Sequence, residues 1–168
     1  MRQSMILAAL GAALVFAPVV QAAQDAKKPF FKDEIRVTYK VKANWGDVRD
    51  QVREAITGKG IKINNVSHIG EMLIRTGKDL GYKKKVFDHA EAFEFCSATH
   101  SRFTMEADPH NIVFCPYIIS VYEIADEPGE TYVTYRRPSI IGDEASKKSL
   151  RGVEELIDSI VQDALSWF

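Results

Sequence analysis

Residues 92–123, AFEFCSATHSRFTMEADPHNIVFCPYIISVYE, hold two strand patterns on either side of a helix pattern. In the first pattern two phenylalanines alternate with a glutamate and a cysteine, which predicts a strand over 86–96 with one apolar face. A helix is predicted over 98–107, where an Asp-Pro pair ends it. The longest apolar run, 112–124, predicts a second strand, and Pro116 places a bend or bulge near its start.

Towards the N-terminus the sequence again shows strand patterns, with a period of two, and helix patterns, with a period near 3.6. Residues 35–43 alternate apolar and polar side chains, which predicts a half-buried strand. Asn44 is the expected N-cap of a helix that two glycines stop near residue 60. A second strand is predicted over 61–69 and a short helix over 71–81. The apolar residues that share one face of the first helix are Trp45, Val48, Val52, Ala55 and Ile56.

Towards the C-terminus, Pro128-Gly129 marks a hairpin turn that leads to a strand over 132–137. A long helix over 144–167 follows, and its apolar residues form a continuous stripe. The predicted order is β-α-β-α-β-α-β-β-α. We therefore expect an α+β fold with a mostly antiparallel sheet packed by helices, in a single compact domain over 34–168.

The first 22 residues have the pattern of a cleaved signal peptide. Arg2 supplies a positive start, residues 5–20 carry no charge, and Val20-Gln21-Ala22 offers small residues for cleavage after Ala22. The alternative is an uncleaved anchor, but the apolar run is shorter than the ~20 residues of a spanning helix. We expect a periplasmic protein without a transmembrane segment, with a flexible lead-in over 23–33.

Charge excludes one large class of function. The chain carries 22 Lys and Arg against 23 Asp and Glu, a net charge of −1. Without Arg2 the mature chain has 21 against 23, or −2. Nucleic-acid binding proteins carry a strongly basic face, so no nucleic-acid partner is expected.

The central segment resembles a widespread bacterial family, the domain of unknown function number three hundred and two. The family pattern is a cysteine, a short helix with a Glu-Ala-Asp-Pro turn, a proline at the start of a strand, and Val-Tyr-Glu near its end. The resemblance extends over roughly 35–141 and implies a compact antiparallel α+β fold and a homodimer. The matching positions are Cys96, Glu106 to Pro109, Pro116, and Val121 to Glu123.

The chain departs from the family at two points. Ser97-Ala98 stands where the family often has Asn-Pro. Tyr117 stands where it often has a second cysteine, and Cys115 comes two residues earlier. Residues two apart in a strand share a face, so Cys115 is expected to point the same way as the usual cysteine.

The two cysteines allow three states. In an oxidising compartment Cys96 and Cys115 can form a disulfide. They can also stay as buried free thiols, because cysteine packs like a small apolar residue. Thirdly, Cys96 and His100 are spaced i, i+4, and together with Cys115 they can bind copper, zinc or haem iron. The sequence lacks Cys-x-x-Cys, which argues against a thioredoxin-like enzyme and against covalently attached haem.

Further candidate residues lie outside the cysteine and histidine set. Glu94, Tyr117 and Arg136 are candidates for ligand binding or redox chemistry beside the cysteines. Asp88-His89 is a candidate general-base pair for a hydrolase, and the basic run 83–85 is expected to be a solvated turn. The sequence has no Gly-rich phosphate loop and no Gly-x-Ser-x-Gly motif.

Two functional hypotheses follow. The first is a small exported binding or accessory protein without catalytic machinery or cofactor, whose partner is a small ligand or a periplasmic protein. It predicts an apolar groove near 93–123. The alternative is a periplasmic metal- or haem-binding or redox protein that uses Cys96, His100 and Cys115.

Overall fold

The computed structural model describes residues 26–168. The predicted signal peptide lies outside these residues and stays a prediction. The strands are β1 (Phe31–Lys32), β2 (Arg36–Val41), β3 (Ile63–Ser67), β4 (Phe87–Phe95), β5 (Tyr117–Ile124) and β6 (Thr131–Arg136). The helices are α1 (Trp45–Gly58), α2 (Ile69–Asp79), α3 (Ala98–Ala107) and α4 (Glu144–Leu165), with a 3-10 helix at Pro109–Phe114.

The strands form one sheet in the order β1-β2-β6-β5-β4-β3, and every neighbouring pair is antiparallel. The hairpin predicted at Pro128-Gly129 joins β5 to β6. Helix α2 connects β3 to β4, while α3 and the 3-10 helix connect β4 to β5. The predicted α+β class with an antiparallel sheet is confirmed.

The core lies between one face of the sheet and the helices α1 and α4. Alternate residues of the strands point into it, since side chains on a strand have a period of two. The helices contribute stripes with a period near 3.6. Core residues from the strands include Val37, Tyr39, Phe93, Phe95, Ile119, Val121, Val133 and Tyr135; those from the helices include Val48, Val52, Ile56, Val153, Ile157, Ile160 and Val161.

The helix starts agree with local capping chemistry. The Asn44 side chain accepts a hydrogen bond from the Gly46 N–H at 2.8 Å, as the sequence predicts. Ser97 caps α3, and Asp143 caps α4 by accepting from the Ser146 N–H at 2.8 Å. Among the described helices, none is long and apolar enough to cross a membrane.

Two segments differ from expectation. The strand predicted from residue 112 begins only at Tyr117, because Pro109 starts a 3-10 helix that Asp108 caps through the His110 N–H. Apolar residues 112–114 therefore belong to a helical turn. In the predicted lead-in, Phe31–Lys32 pairs with β2 as a short edge strand.

Candidate functional site

The structure places the two cysteines at one end of the central strands. Phe95 pairs with Tyr117 at the last position of the β4–β5 ladder. Cys96 follows Phe95 directly, and Cys115 caps the 3-10 helix two residues before Tyr117. Cys115 thus lies outside β5, but its thiol and the Tyr117 hydroxyl both lie against Ser101 Oγ, so the two side chains point to the same side. Both cysteines are free thiols and partly exposed.

A serine hydroxyl links the Cys115 thiol to the Tyr117 hydroxyl. Ser101 Oγ from α3 lies 3.3 Å from Cys115 Sγ and 3.3 Å from Tyr117 Oη. Burial raises the pKa of Tyr117 to about 12. Burial, and next the charge of Cys115, raise the pKa of the Cys96 thiol. Since the thiolate is the nucleophile, this site does not activate Cys96 for attack at neutral pH.

His100 does not complete a metal site with the cysteines. Its Nδ1 lies 3.0 Å from Ser97 Oγ, the hydroxyl that also caps α3. Its ring lies close to the backbone at Gly152 on α4. Over residues 26–168 no three His, Cys, Asp or Glu side chains are grouped so that they could hold a metal ion. Cys96, His100 and Cys115, predicted as a ligand set, are therefore not brought together as one.

The remaining predicted candidates lie apart from the thiols. Glu94 accepts hydrogen bonds from Ser67 Oγ at 2.7 Å and Asn65 Nδ2 at 3.2 Å, which ties it to β3. Arg136 is exposed, whereas its neighbour Arg137 forms a bidentate ion pair with Glu154 at 2.7 and 3.2 Å.

One small cleft borders part of the segment 93–123, where an apolar groove is predicted, but most of its lining comes from other segments. Tyr117 and Arg136 both line it, together with Val113 and Pro116, and its volume is about 220 Å³. A typical small-molecule site encloses ~300–1,000 Å³, so this cleft is small for a ligand.

The hydrolase pair is also separated. The ring of His89 stacks on Trp45 with centroids 4.6 Å apart. Asp88 instead forms a 2.5 Å ion pair with Lys85. Each side chain is therefore engaged by a different partner, and the two are not joined as an acid–base pair.

A larger cleft lies between α2 and residues 80–87, which we call the α2 cleft. Its volume is about 630 Å³, within the range of ligand sites. Its walls are apolar side chains that remain partly open to solvent, with Ile74 42% and Tyr82 73% exposed. The apolar residues that line it are Leu73, Ile74, Leu80, Tyr82, Val86 and Phe87.

Four lysines line the same cleft: Lys78, Lys83, Lys84 and Lys85. Lys84 pairs with Asp126 at 3.3 Å and Lys85 with Asp88 at 2.5 Å. Within the described residues, Lys78 and Lys83 form no salt bridge, and no Asp or Glu lines the cleft. The α2 cleft is therefore an apolar surface with a positive rim.

Sequence reasoning missed this site. The sequence predicts a solvated turn at 83–85 and a short helix over 71–81, with no site between them. Two features together could have indicated the α2 cleft: the apolar stripe on α2 and the basic run that follows a few residues later. Its exposure depends on the tertiary packing, which leaves the helix without a covering element.

The sheet and its helices define a two-layer α+β domain with an open cleft and a partly exposed thiol pair. The family described as domain of unknown function DUF302 matches residues 37–164, so the chain belongs to this family. The resemblance seen in the central segment is confirmed.

A solved structure supports the same fold. The chain is similar to the crystal structure of an uncharacterised conserved DUF302 protein from Bacillus stearothermophilus, with a TM-score of 0.63 and 16% identity. The match covers 77% of this chain and 97% of the other. At this identity the likeness concerns the fold alone. No curated protein matches the chain.

Proposed function

We propose that this protein is an exported binding protein that holds a long-chain carboxylate in the α2 cleft. The observation that carries the proposal is the combination of a 630 Å³ apolar cleft with four lysines and no described carboxylate in its lining. The signal-peptide pattern at residues 1–22 supports export.

The apolar part of the ligand follows from the exposed walls. A contiguous apolar patch on a monomeric protein commonly marks a binding surface. Five large apolar side chains that line the cleft remain substantially exposed: Leu73, Ile74, Leu80, Tyr82 and Val86. Covering this surface with an alkyl chain removes apolar area from water, at about 25 cal/mol per Å².

The charged end of the ligand follows from the lysines. Lys78 and Lys83 have no described carboxylate partner, so an anionic head group would neutralise charge without displacing an existing pair. An ammonium binds a carboxylate through a charge-assisted hydrogen bond, which is stronger than a neutral one. A neutral or cationic amphiphile of equal chain length lacks this interaction.

The proposal is tested by titrating the protein with palmitate in the presence of the fluorescent anion anilinonaphthalene sulfonate. The displacement of this dye reports palmitate binding. Hexadecanol and hexadecyltrimethylammonium serve as chain-matched ligands with a neutral and a cationic head. We expect palmitate to bind roughly tenfold more tightly than hexadecanol, the factor that corresponds to one favourable charged contact. The cationic ligand is expected to bind most weakly.

Two variants localise the site. Replacing Lys78 and Lys83 by alanine is expected to weaken palmitate binding while leaving hexadecanol binding nearly unchanged. The matched control replaces Lys62 and Lys148, which are exposed and lie outside the cleft, and is expected to bind as the wild type does. Equal affinity for the three ligands, or binding only to anionic phospholipid vesicles, would overturn the proposal.

A further inference from the structure

The two cysteines leave the sheet side by side. The β4–β5 ladder ends where Phe95 pairs with Tyr117. Cys96 directly follows Phe95, and Cys115 precedes Tyr117 by two residues, so both cysteines lie beside this last pair. Between them the chain makes the excursion through α3 and the 3-10 helix. Ladder register, rather than flexible loop geometry, sets their proximity.

The two thiols are also neighbours, since after burial it is Cys115 that raises the pKa of Cys96. Ser101 Oγ lies 3.3 Å from Cys115 Sγ. Both sulfur-bearing residues are partly exposed, so a reagent in solution can reach them.

We propose that Cys96 and Cys115 form an intramolecular disulfide by exchange with an external disulfide, such as oxidised glutathione. One thiolate attacks the external disulfide, forms a mixed disulfide and releases the first glutathione thiol. The second thiolate then attacks the protein sulfur of the mixed disulfide and releases the second glutathione. Two electrons pass from the cysteines to the oxidant, and the two departing glutathione thiolates take up the two protons.

The bond has a structural role rather than a catalytic one. It closes the segment that contains α3 and the 3-10 helix, and cross-links that close a loop restrict the unfolded chain. The surroundings oppose ionisation of Cys96, and a thiol that is a poor leaving group gives a disulfide that resists reduction. The proposal depends on an oxidising compartment and is independent of the ligand in the α2 cleft.

The test uses the full chain, fully reduced, freed of reductant and incubated with oxidised glutathione. We expect the mass to fall by two hydrogen atoms and no thiol to react after denaturation. Peptide mapping is expected to recover Cys96 linked to Cys115. Reduction should lower the Tm by roughly 5 °C or more, as for a loop of this size.

Single and double serine variants separate the outcomes. Cys96→Ser is expected to hold a glutathione adduct on Cys115, because no second thiol can resolve it. The double variant is expected to show no change of Tm with reductant. Two reactive thiols in the incubated wild type would overturn the proposal. So would a disulfide-linked dimer, or a bound metal ion that protects both thiols. If palmitate still binds after any of these three results, the proposed function remains intact.

Discussion

A single carboxylate oxygen joins α4 to two strands of the sheet. Asp158 Oδ1 accepts hydrogen bonds from the hydroxyls of Tyr39 at 2.7 Å and Tyr135 at 2.8 Å. Both tyrosines are almost fully buried, at 3% and 2% exposure. Their rings pack in the core, so loss of Asp158 removes two hydrogen bonds to a charged acceptor that holds α4 against the sheet.

We therefore expect Asp158→Ala to lower the free energy of unfolding by about 2–3 kcal/mol. Asp158→Asn keeps an acceptor oxygen and is expected to cost about 1 kcal/mol. Urea unfolding followed by circular dichroism measures both. Asp163→Ala is the control on the same helix, since its ion pair with Lys59 is at the surface and contributes under about 1 kcal/mol. An equal loss in Asp158→Ala and Asp163→Ala would contradict this role.

At the scale of the elements, α2 depends on a close approach to β4. A Cβ at Gly70 would lie 2.9 Å from the backbone nitrogen of Ala90, so the helix and the strand cannot both stay in place. At Gly77, on the same helix, a Cβ would meet nothing nearer than Tyr82 at 4.0 Å. One glycine is required by packing and the other is not.

Gly70→Ala is expected to destabilise the protein by about 1–3 kcal/mol, the usual cost of overpacking. Gly77→Ala is expected to be neutral or to stabilise it by up to about 1 kcal/mol, because alanine favours a helix. Thermal unfolding of the two variants measures the difference. Loss of palmitate binding in Gly70→Ala alone would show that the position of α2 shapes the cleft. Destabilisation of equal size in both variants would refute the packing argument.

Most elements were predictable because their signals are local. The alternation of residues 35–43 predicts β2, and the Asn44 cap predicts the start of α1. The helix predicted over 98–107 matches α3 at both ends, since Ser97 and Pro109 bound it. These features depend on side chains within a few residues of one another.

The rest depends on contacts distant in sequence. Ile112 and Val113 are apolar yet 62% and 70% exposed, so their hydrophobicity gave a false strand signal. The thiol pair was recognised as a candidate, but its contact depends on the register of β4 and β5. The α2 cleft was missed because an apolar helical stripe normally predicts burial, and only the tertiary packing leaves it open.

At the scale of the whole molecule, the buried tyrosines make the free energy of unfolding depend on pH in the alkaline range. Burial, then the hydrogen bond to Asp158 and its charge, raise the pKa of Tyr39 and Tyr135 above their ordinary value of 10.0. The folded protein therefore keeps these protons at a pH where the unfolded chain releases them. Their stabilising contribution is complete below pH 10 and is lost as the pH rises through the folded-state pKa values.

We expect the free energy of unfolding, measured in urea at half-unit steps above pH 8, to fall steeply once the pH exceeds 10. Tyr135→Phe is expected to be less stable than the wild type at pH 8 but to lose less stability per pH unit above 10, because one linked proton is removed. Tyr82→Phe is the matched control, since its ring is 73% exposed, and it is expected to follow the wild-type slope. If the free energy of unfolding of Tyr135→Phe falls with pH as steeply as that of the wild type, the Tyr135 hydroxyl proton is not linked to folding.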